Sequence, residues 1–294
     1  MYDLLEKLVK ISPRFGVDEM KAAKIITDEL SKLNIPFTEE PFDSTVPRVI
    51  TAELFADGVS IPCLSSTFKS GAINNLNQIH FSPHTDDISV ISFYDEPSVS
   101  VSKLSMSALT AAKIISGEVV IAEEKFTTEN ILVGNTVNPK NIIFAHFDSI
   151  IGSGALDNAA GVSLVFEIIK TNPGLLPDNL FVFTGNEEIS YDGDDYDSHG
   201  YRVFESVHQD ILKSASQIII VDGVGVSSPM LTQEGIELVF LLTNLPIYLS
   251  KCFWLQNNQR LVLQHYHSTN DTIDNIKIEY LNEAKELLIN KITL

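Results

Sequence analysis

Residues 141–169, NIIFAHFDSIIGSGALDNAAGVSLVFEII, decide how this chain is read. The run NIIFAHF is apolar and of strand length, a loop of small residues follows, and NAAGVSLVFEIIK (158–170) carries apolar residues at helical spacing. An unbroken apolar strand followed by such a helix is the pattern of a buried parallel strand and its crossover. Against that pattern, polar residues stand where the strand ends (His146, Asp148) and where the helix opens (Asp157, Asn158).

Working outward, the same rhythm recurs. NLFVFTGN (179–186) predicts a strand, RVFESVHQDILK (202–213) a helix, SQIIIVDGVG (216–225) a strand, LVLQHYH (261–267) a strand and EYLNEAKELLINKI (279–292) a closing helix. Toward the N-terminus, two amphipathic helices are expected in the first 34 residues, broken near Pro13 and Gly16. From Pro36 to about Glu96, short runs punctuated by Pro, Ser, Asn and Gly predict a β-rich, loop-rich stretch. A helix is expected at roughly Ser105–Ser116, before the strand-like GEVVIAEEKF (117–126) and TENILVGN (128–135). The fold class is α/β in three layers, a mostly parallel, mixed central sheet with helices on both faces. The whole of 1–294 is expected to form one domain, with 40–125 a β-rich elaboration within it.

Composition narrows the function classes. With 294 residues, 44% hydrophobic and 20% charged, the chain can bury a large core. Its 39 acidic against 20 basic residues give a net charge of −19, which repels phosphate backbones and anionic membranes, so neither nucleic acid nor membrane is an expected partner. Cys63 and Cys252 suggest no disulfide framework, and no run reaches the roughly 18 apolar residues of a membrane span, so a cytoplasmic location is expected.

Ligands of such sheets bind beyond the carboxyl ends of the strands. The residues gathered there are His146 and Asp148, Glu187 and Glu188, Asp222, and His265 or His267, with Asp157 after the first strand. Each alone has a plainer reading: a surface pair, a solvated strand end, a helix N-cap at Asp157–Asn158, a turn at Asp222–Gly223. Together they form a mixed nitrogen and oxygen donor set of the kind divalent metals, zinc in particular, accept. His265 and His267 face the same way in a strand, so spacing cannot choose between them.

In this order, HFDS (146–149), GALDNAAG (154–161), FTGNEE (183–188), IIIVDGVG (218–225) and HSTNDTIDNI (267–276) resemble the co-catalytic dizinc aminopeptidases, a family that includes leucyl aminopeptidases and aminopeptidase Y and is related to glutaminyl cyclases and glutamate carboxypeptidase. The early stretch 16–42 resembles that family's first helix and strand. The resemblance implies a zinc-exopeptidase-like fold, two divalent metal ions, most often zinc, and a peptide substrate. It implies that His146 and Asp222 hold the first metal, Asp157 bridges, and Glu188 and His267 hold the second, His267 being chosen over His265 by the turn that follows it. Glu187 would be the general base, and Asp148 would orient His146.

The expected activity is removal of N-terminal residues from short peptides. Carboxypeptidase or amidohydrolase chemistry, glutaminyl cyclisation, or a catalytically silent peptide-binding role are the alternatives, and a homo-oligomer is compatible with the sequence. The acidic link ISYDGDDYDSHGYR (189–202) is longer than the family's usual one. Its Asp192, Asp194, Asp195 and Asp197 suggest a solvated acidic loop near the cleft rather than a calcium site. LTNLPIYLSKCFWLQ (242–256) and Tyr266 are candidates for an apolar substrate pocket, and Tyr201, Arg202 and Arg260 for stabilising an oxyanion.

Overall fold

In a computed structural model describing residues 1–193 and 196–293, the apolar runs do become buried strands. The chain opens with α1 (Tyr2–Leu8) and α2 (Glu19–Lys32) and enters β1 (Thr38–Ala56). Short strands follow, β2 (Val59–Ser60), β3 (Cys63–Ser65), β4 (Gly71–Ile73), β5 (Ile79–His80) and β6 (Val99–Val101), then α3 (Met106–Ala111) and β7 (Ile115–Gly134). The regular part comprises β8 (Asn141–His146), α4 (Ala160–Thr171), β9 (Asn179–Thr184), α5 (His199–Ser214) and β10 (Gln217–Val221). β11 (Met230–Thr232), α6 (Leu245–Tyr248), β12 (Cys252–Gln256), α7 (Gln259–Val262) and α8 (Ile278–Thr293) complete the described chain.

The main sheet runs β11-β12-β10-β8-β9-β7-β1-β2. Its centre, β9, β8, β10 and β12, is parallel, and β7, β1 and β11 flank it antiparallel, which makes the sheet mixed. Period-two geometry divides its apolar strands between two cores. Ile143, Ala145, Phe181, Phe183, Ile219 and Val221 pack under α1, α2, α4 and α8. Ile142, Phe144, Leu180, Val182, Ile218 and Ile220 pack on the opposite face with Tyr201, Phe204 and Leu212 of α5. The three-layer α/β expectation is thus met.

Three local expectations need correction. The stretch after Pro36 is no set of short runs at its start: β1 is 19 residues long and pairs antiparallel with β7 from Thr38–Leu132 to Ala56–Ile115. Pro41 and Pro47 disguise it, and both are tolerated because β1 lies near the sheet edge. The helix near residue 105 stops at Ala111, and Ile115 already belongs to β7. LVLQHYH is not a strand. Asn258 accepts from the Arg260 N–H and starts α7, a turn follows, and the strand of this region is the aromatic CFWLQ stretch, residues 252–256.

Candidate metal centre

The exits of β8 and β9 lie side by side, with His146 opposite Thr184, so the residues just beyond them are neighbours. Asp148, fully buried, joins the two exits: Oδ1 lies 3.3 Å from His146 Nδ1, and Oδ2 accepts from the Glu188 N–H at 2.9 Å. An Asp two residues past the histidine can reach that ring nitrogen and so turn Nε2 toward the centre of the site. There, His146 Nε2 is 3.1 Å from Asp157 Oδ1, 3.8 Å from Asp222 Oδ1 and 4.0 Å from Glu187 Oε2.

A second group meets the other side of Asp157. His267 Nε2 lies 2.6 Å from Glu188 Oε2 and 3.4 Å from Asp157 Oδ2, and its Nδ1 donates to the Val90 carbonyl at 3.0 Å. His146, Asp157 and Asp222 form one cluster able to hold a metal ion, and Asp157, Glu188 and His267 form another; within each, the donor atoms lie within 4.8 Å of one another. Asp157 offers one oxygen to each.

The backbone around Asp157 explains how it faces both ways. Asp157 and Asn158 have non-helical dihedrals, and α4 begins only at Ala160 with Ala159 at its N-cap, so the plainer alternative, a helix N-cap at Asp157–Asn158, fails. Asp271, buried, accepts from the Leu156 N–H at 2.7 Å and the Asp157 N–H at 3.1 Å, while Asn158 Nδ2 donates to the Val221 carbonyl. Gly161 leaves the room this requires, since a Cβ there would stand 2.2 Å from Asn158 Oδ1.

Charge dominates the site. Burial alone would lower the His146 pKa, but the carboxylates of Glu187, Asp148, Asp157 and Asp222 outweigh it and hold it well above the ordinary value. For His267 burial is likewise outweighed, by Glu188 and Asp157, and the pKa rises to about 9. Burial, reinforced by neighbouring acids, raises Glu187 well above the ordinary range and Glu188 to about 7, and it raises Asp222 too. Five carboxylates crowd two imidazoles in one buried volume, an arrangement that favours added positive charge. His146 Nε2 and Glu188 Oε1 are buried without a well-formed hydrogen bond. The donors are imidazole nitrogens and carboxylate oxygens, so a divalent ion such as zinc fits this set.

All seven expected residues, His146, Asp148, Asp157, Glu187, Glu188, Asp222 and His267, therefore meet at one place. His265 does not join them: its Nδ1 lies 3.4 Å from Asn270 Nδ2, and its carbonyl accepts from Ser268. His267 itself sits in a left-handed turn (φ 46°) with Tyr266 stacked on its ring, so strand alternation never governed the choice between the two. Asp271 and the Val90 carbonyl escaped sequence reasoning. The first reads as one more turn acid in STNDT, and the second is main chain.

Among the oxyanion candidates, Arg260 is exposed, Arg202 donates to the Asp192 carbonyl, and Tyr201 is buried among Phe144 and Phe240. In the acidic link, Asp192 accepts from the Ser44 hydroxyl and the Thr45 N–H, which fastens the link to β1; Asp194 and Asp195 lie outside the described residues. A cavity of about 140 Å³ beside Asp157 and Asp222 is walled by Leu238, Val239, Trp254, Gln259, Val262, Leu263 and Tyr266; of the stretch 242–256 only Trp254 lines it, while Leu242, Leu245, Tyr248 and Cys252 pack in the core. Cys252 is buried in the core, where burial pushes its thiol up to about 12, out of reach of nucleophilic use.

The model of peptidase family M28 matches residues 131–234, a span that contains every one of the seven except His267. No curated protein sequence matches the chain. The fold is that of a zinc aminopeptidase from Bacillus subtilis, with a TM-score of 0.70 and 17% identity over 98% of this chain and 92% of that one. An aminopeptidase from Aneurinibacillus sp. strain AM-1 superposes with a TM-score of 0.61 at 16% identity, covering 97% and 90% of the two chains. The glutaminyl cyclase of Porphyromonas gingivalis does so with 0.56 at 14% identity, covering 99% and 96%.

Proposed function

We propose that this chain is a metal-dependent aminopeptidase that removes N-terminal residues from short peptides across a two-metal centre. One observation carries the reading: Asp157 turns Oδ1 to His146 and Oδ2 to His267, the disposition of a carboxylate shared between two cations. The M28 match over residues 131–234 and the zinc aminopeptidase fold support it.

His146, Asp157 and Asp222 would hold one ion and Asp157, Glu188 and His267 the other. Bound there, two zinc ions would lower the pKa of a shared water and polarise the scissile carbonyl. The protein's own part is positional and acid–base. Asp148 and the Val90 carbonyl fix the Nδ1 side of the two histidines, leaving each Nε2 to face the donors. Glu187, 4.0 Å from His146 Nε2 and more exposed than its neighbour Glu188, takes the proton of the attacking water and returns it to the leaving amine. The apolar cavity beside Asp157 and Asp222 takes the N-terminal side chain, which favours leucine-like and aromatic residues over charged ones. The surrounding carboxylates favour the substrate's ammonium group.

A panel of aminoacyl 4-nitroanilides with free and blocked amines, alongside C-terminal substrates, tests the reading. Cleavage confined to free-amine substrates supports it. Cleavage of blocked or C-terminal substrates would point to carboxypeptidase or amidohydrolase chemistry. Conversion of glutaminyl peptides to pyroglutamyl products without hydrolysis would favour the cyclase reading, which the cyclase-like fold keeps in view.

A further inference from the structure

Two fully buried charged residues lie outside the chemistry above: Arg14, in the short connection between α1 and α2, and Glu19, the first residue of α2. Among the described residues, no carboxylate lies within salt-bridge distance of Arg14. Its guanidinium instead donates to three main-chain carbonyls, Nε to Phe147 at 2.6 Å, Nη1 to Ser153 at 2.5 Å and Nη2 to Gly154 at 2.9 Å. The Arg14 N–H donates to Ser149 Oγ, and the Ser149 N–H returns a bond to the Arg14 carbonyl. Five hydrogen bonds thus tie one residue to the loop that leads from His146 and Asp148 to Asp157.

Only a planar, multi-donor cation can span three carbonyls set this far apart in sequence. The loop is shaped to the guanidinium, since a Cβ at Gly154 would come within 2.8 Å of Nη2. Glu19 does the corresponding work at the neighbouring exit. It accepts from the Asn186 N–H at 2.9 Å and from the Thr128 hydroxyl, directly ahead of Glu187 and Glu188. Gly185 leaves it space, as a Cβ there would lie 2.5 Å from Glu19 Oε1.

We infer that residues 14–19 form a positioning strap: Arg14 fixes the loop carrying Asp157, Glu19 fixes the turn carrying Glu187 and Glu188, and their short connection sets the spacing between the two. This rests on the two-metal reading of the site for its consequence, though not for its geometry. The strap touches neither substrate nor reacting atoms. Its effect is expected in metal affinity and in kcat, with KM little changed.

The test uses the full chain, metal-free and zinc-loaded, as wild type, Arg14→Met, Arg14→Lys, Glu19→Gln and Glu19→Leu. In the metal-free protein, hydrogen exchange should show amides 149–158 losing protection in both Arg14 variants while β8 and β10 keep theirs. Chelator competition should show zinc held at least about tenfold more weakly in both. Arg14→Lys keeps the charge but cannot span three carbonyls, so it separates anchoring from charge. Glu19→Gln, which keeps the acceptor, should match wild type, and Glu19→Leu should not. A folded Arg14→Met with wild-type exchange across 149–158 and wild-type zinc affinity would overturn the strap. If Arg14→Met fails to fold, Arg14→Lys and Glu19→Leu decide by the same readouts. Should the wild type bind no metal at all, the two-metal reading falls, while the exchange data still decide whether the strap holds the loop.

Discussion

Glu187 and Glu188 are consecutive, yet they sit in different surroundings. Glu188 is held against His267 at 2.6 Å, while Glu187 keeps more solvent access and accepts from the Ser198 hydroxyl. Replacing Glu187 with Gln should lower kcat by about 10²–10⁴-fold with metal content unchanged, measured by nitroanilide turnover beside elemental analysis. Replacing His267 with Ala should remove one metal, whereas His265→Ala should leave both; the same elemental analysis reads the two. His146, Asp148, Glu187, Glu188 and Asp222 were legible because such side chains beyond strand ends are the ones a metal site demands, whereas the choice of His267 over His265 came from the family resemblance alone, since no strand ends there. Arg14, Glu19 and Asp271 were not legible, because a buried arginine between Pro13 and Gly16, or one acid in a polar turn, looks in sequence like any surface residue. Apart from the Thr128 hydroxyl on Glu19, the partners of these side chains are main-chain groups, which leave no sequence signal.

At the scale of elements, the parallel strands and their helices were plain from apolar runs. The β1–β7 ribbon was not, because Pro41, Pro47 and an irregular polar pattern broke the alternation that marks a strand. Glu129 on β7 supplies a pH test of this ribbon. Burial first, then the nearby Glu39, raises its pKa from 4.5 to about 6. A carboxyl raised on folding favours the folded state while protonated and loses that advantage as pH climbs from about 4.5 through 6. Glu129→Gln should therefore raise Tm at pH 7.5 and leave it unchanged at pH 4, read by thermal melts at both pH values. The insertion between β1 and β7 has its own part in the site. The Val90 N–H donates to the His267 carbonyl, and the Val90 carbonyl accepts from His267 Nδ1. Val90→Pro deletes the donor and disturbs the residue before it, and should weaken binding of the metal at His267 by about tenfold in chelator competition.

For the whole molecule, part of the acidic excess of −19 gathers at one point, where Asp148, Asp157 and Glu188, buried, and Glu187 and Asp222, half-buried, surround two histidines. Among the described residues, no helix is long and apolar enough to cross a membrane. Bound cations would relieve the repulsion in the site, so metal should stabilise the fold. Free zinc at about 100 times its Kd should add about 2.7 kcal/mol, seen as a Tm that falls on chelation and returns on zinc addition. In the proposed centre Asp157 serves two ions at once, so the number of zinc ions held per chain is the decisive quantity. Zinc-reconstituted protein, dialysed and analysed for metal per chain, should retain two zinc ions, and Asp157→Asn should fail to retain the pair. A wild-type chain saturating at one zinc, or an Asp157→Asn variant that still holds two as tightly, would contradict the account.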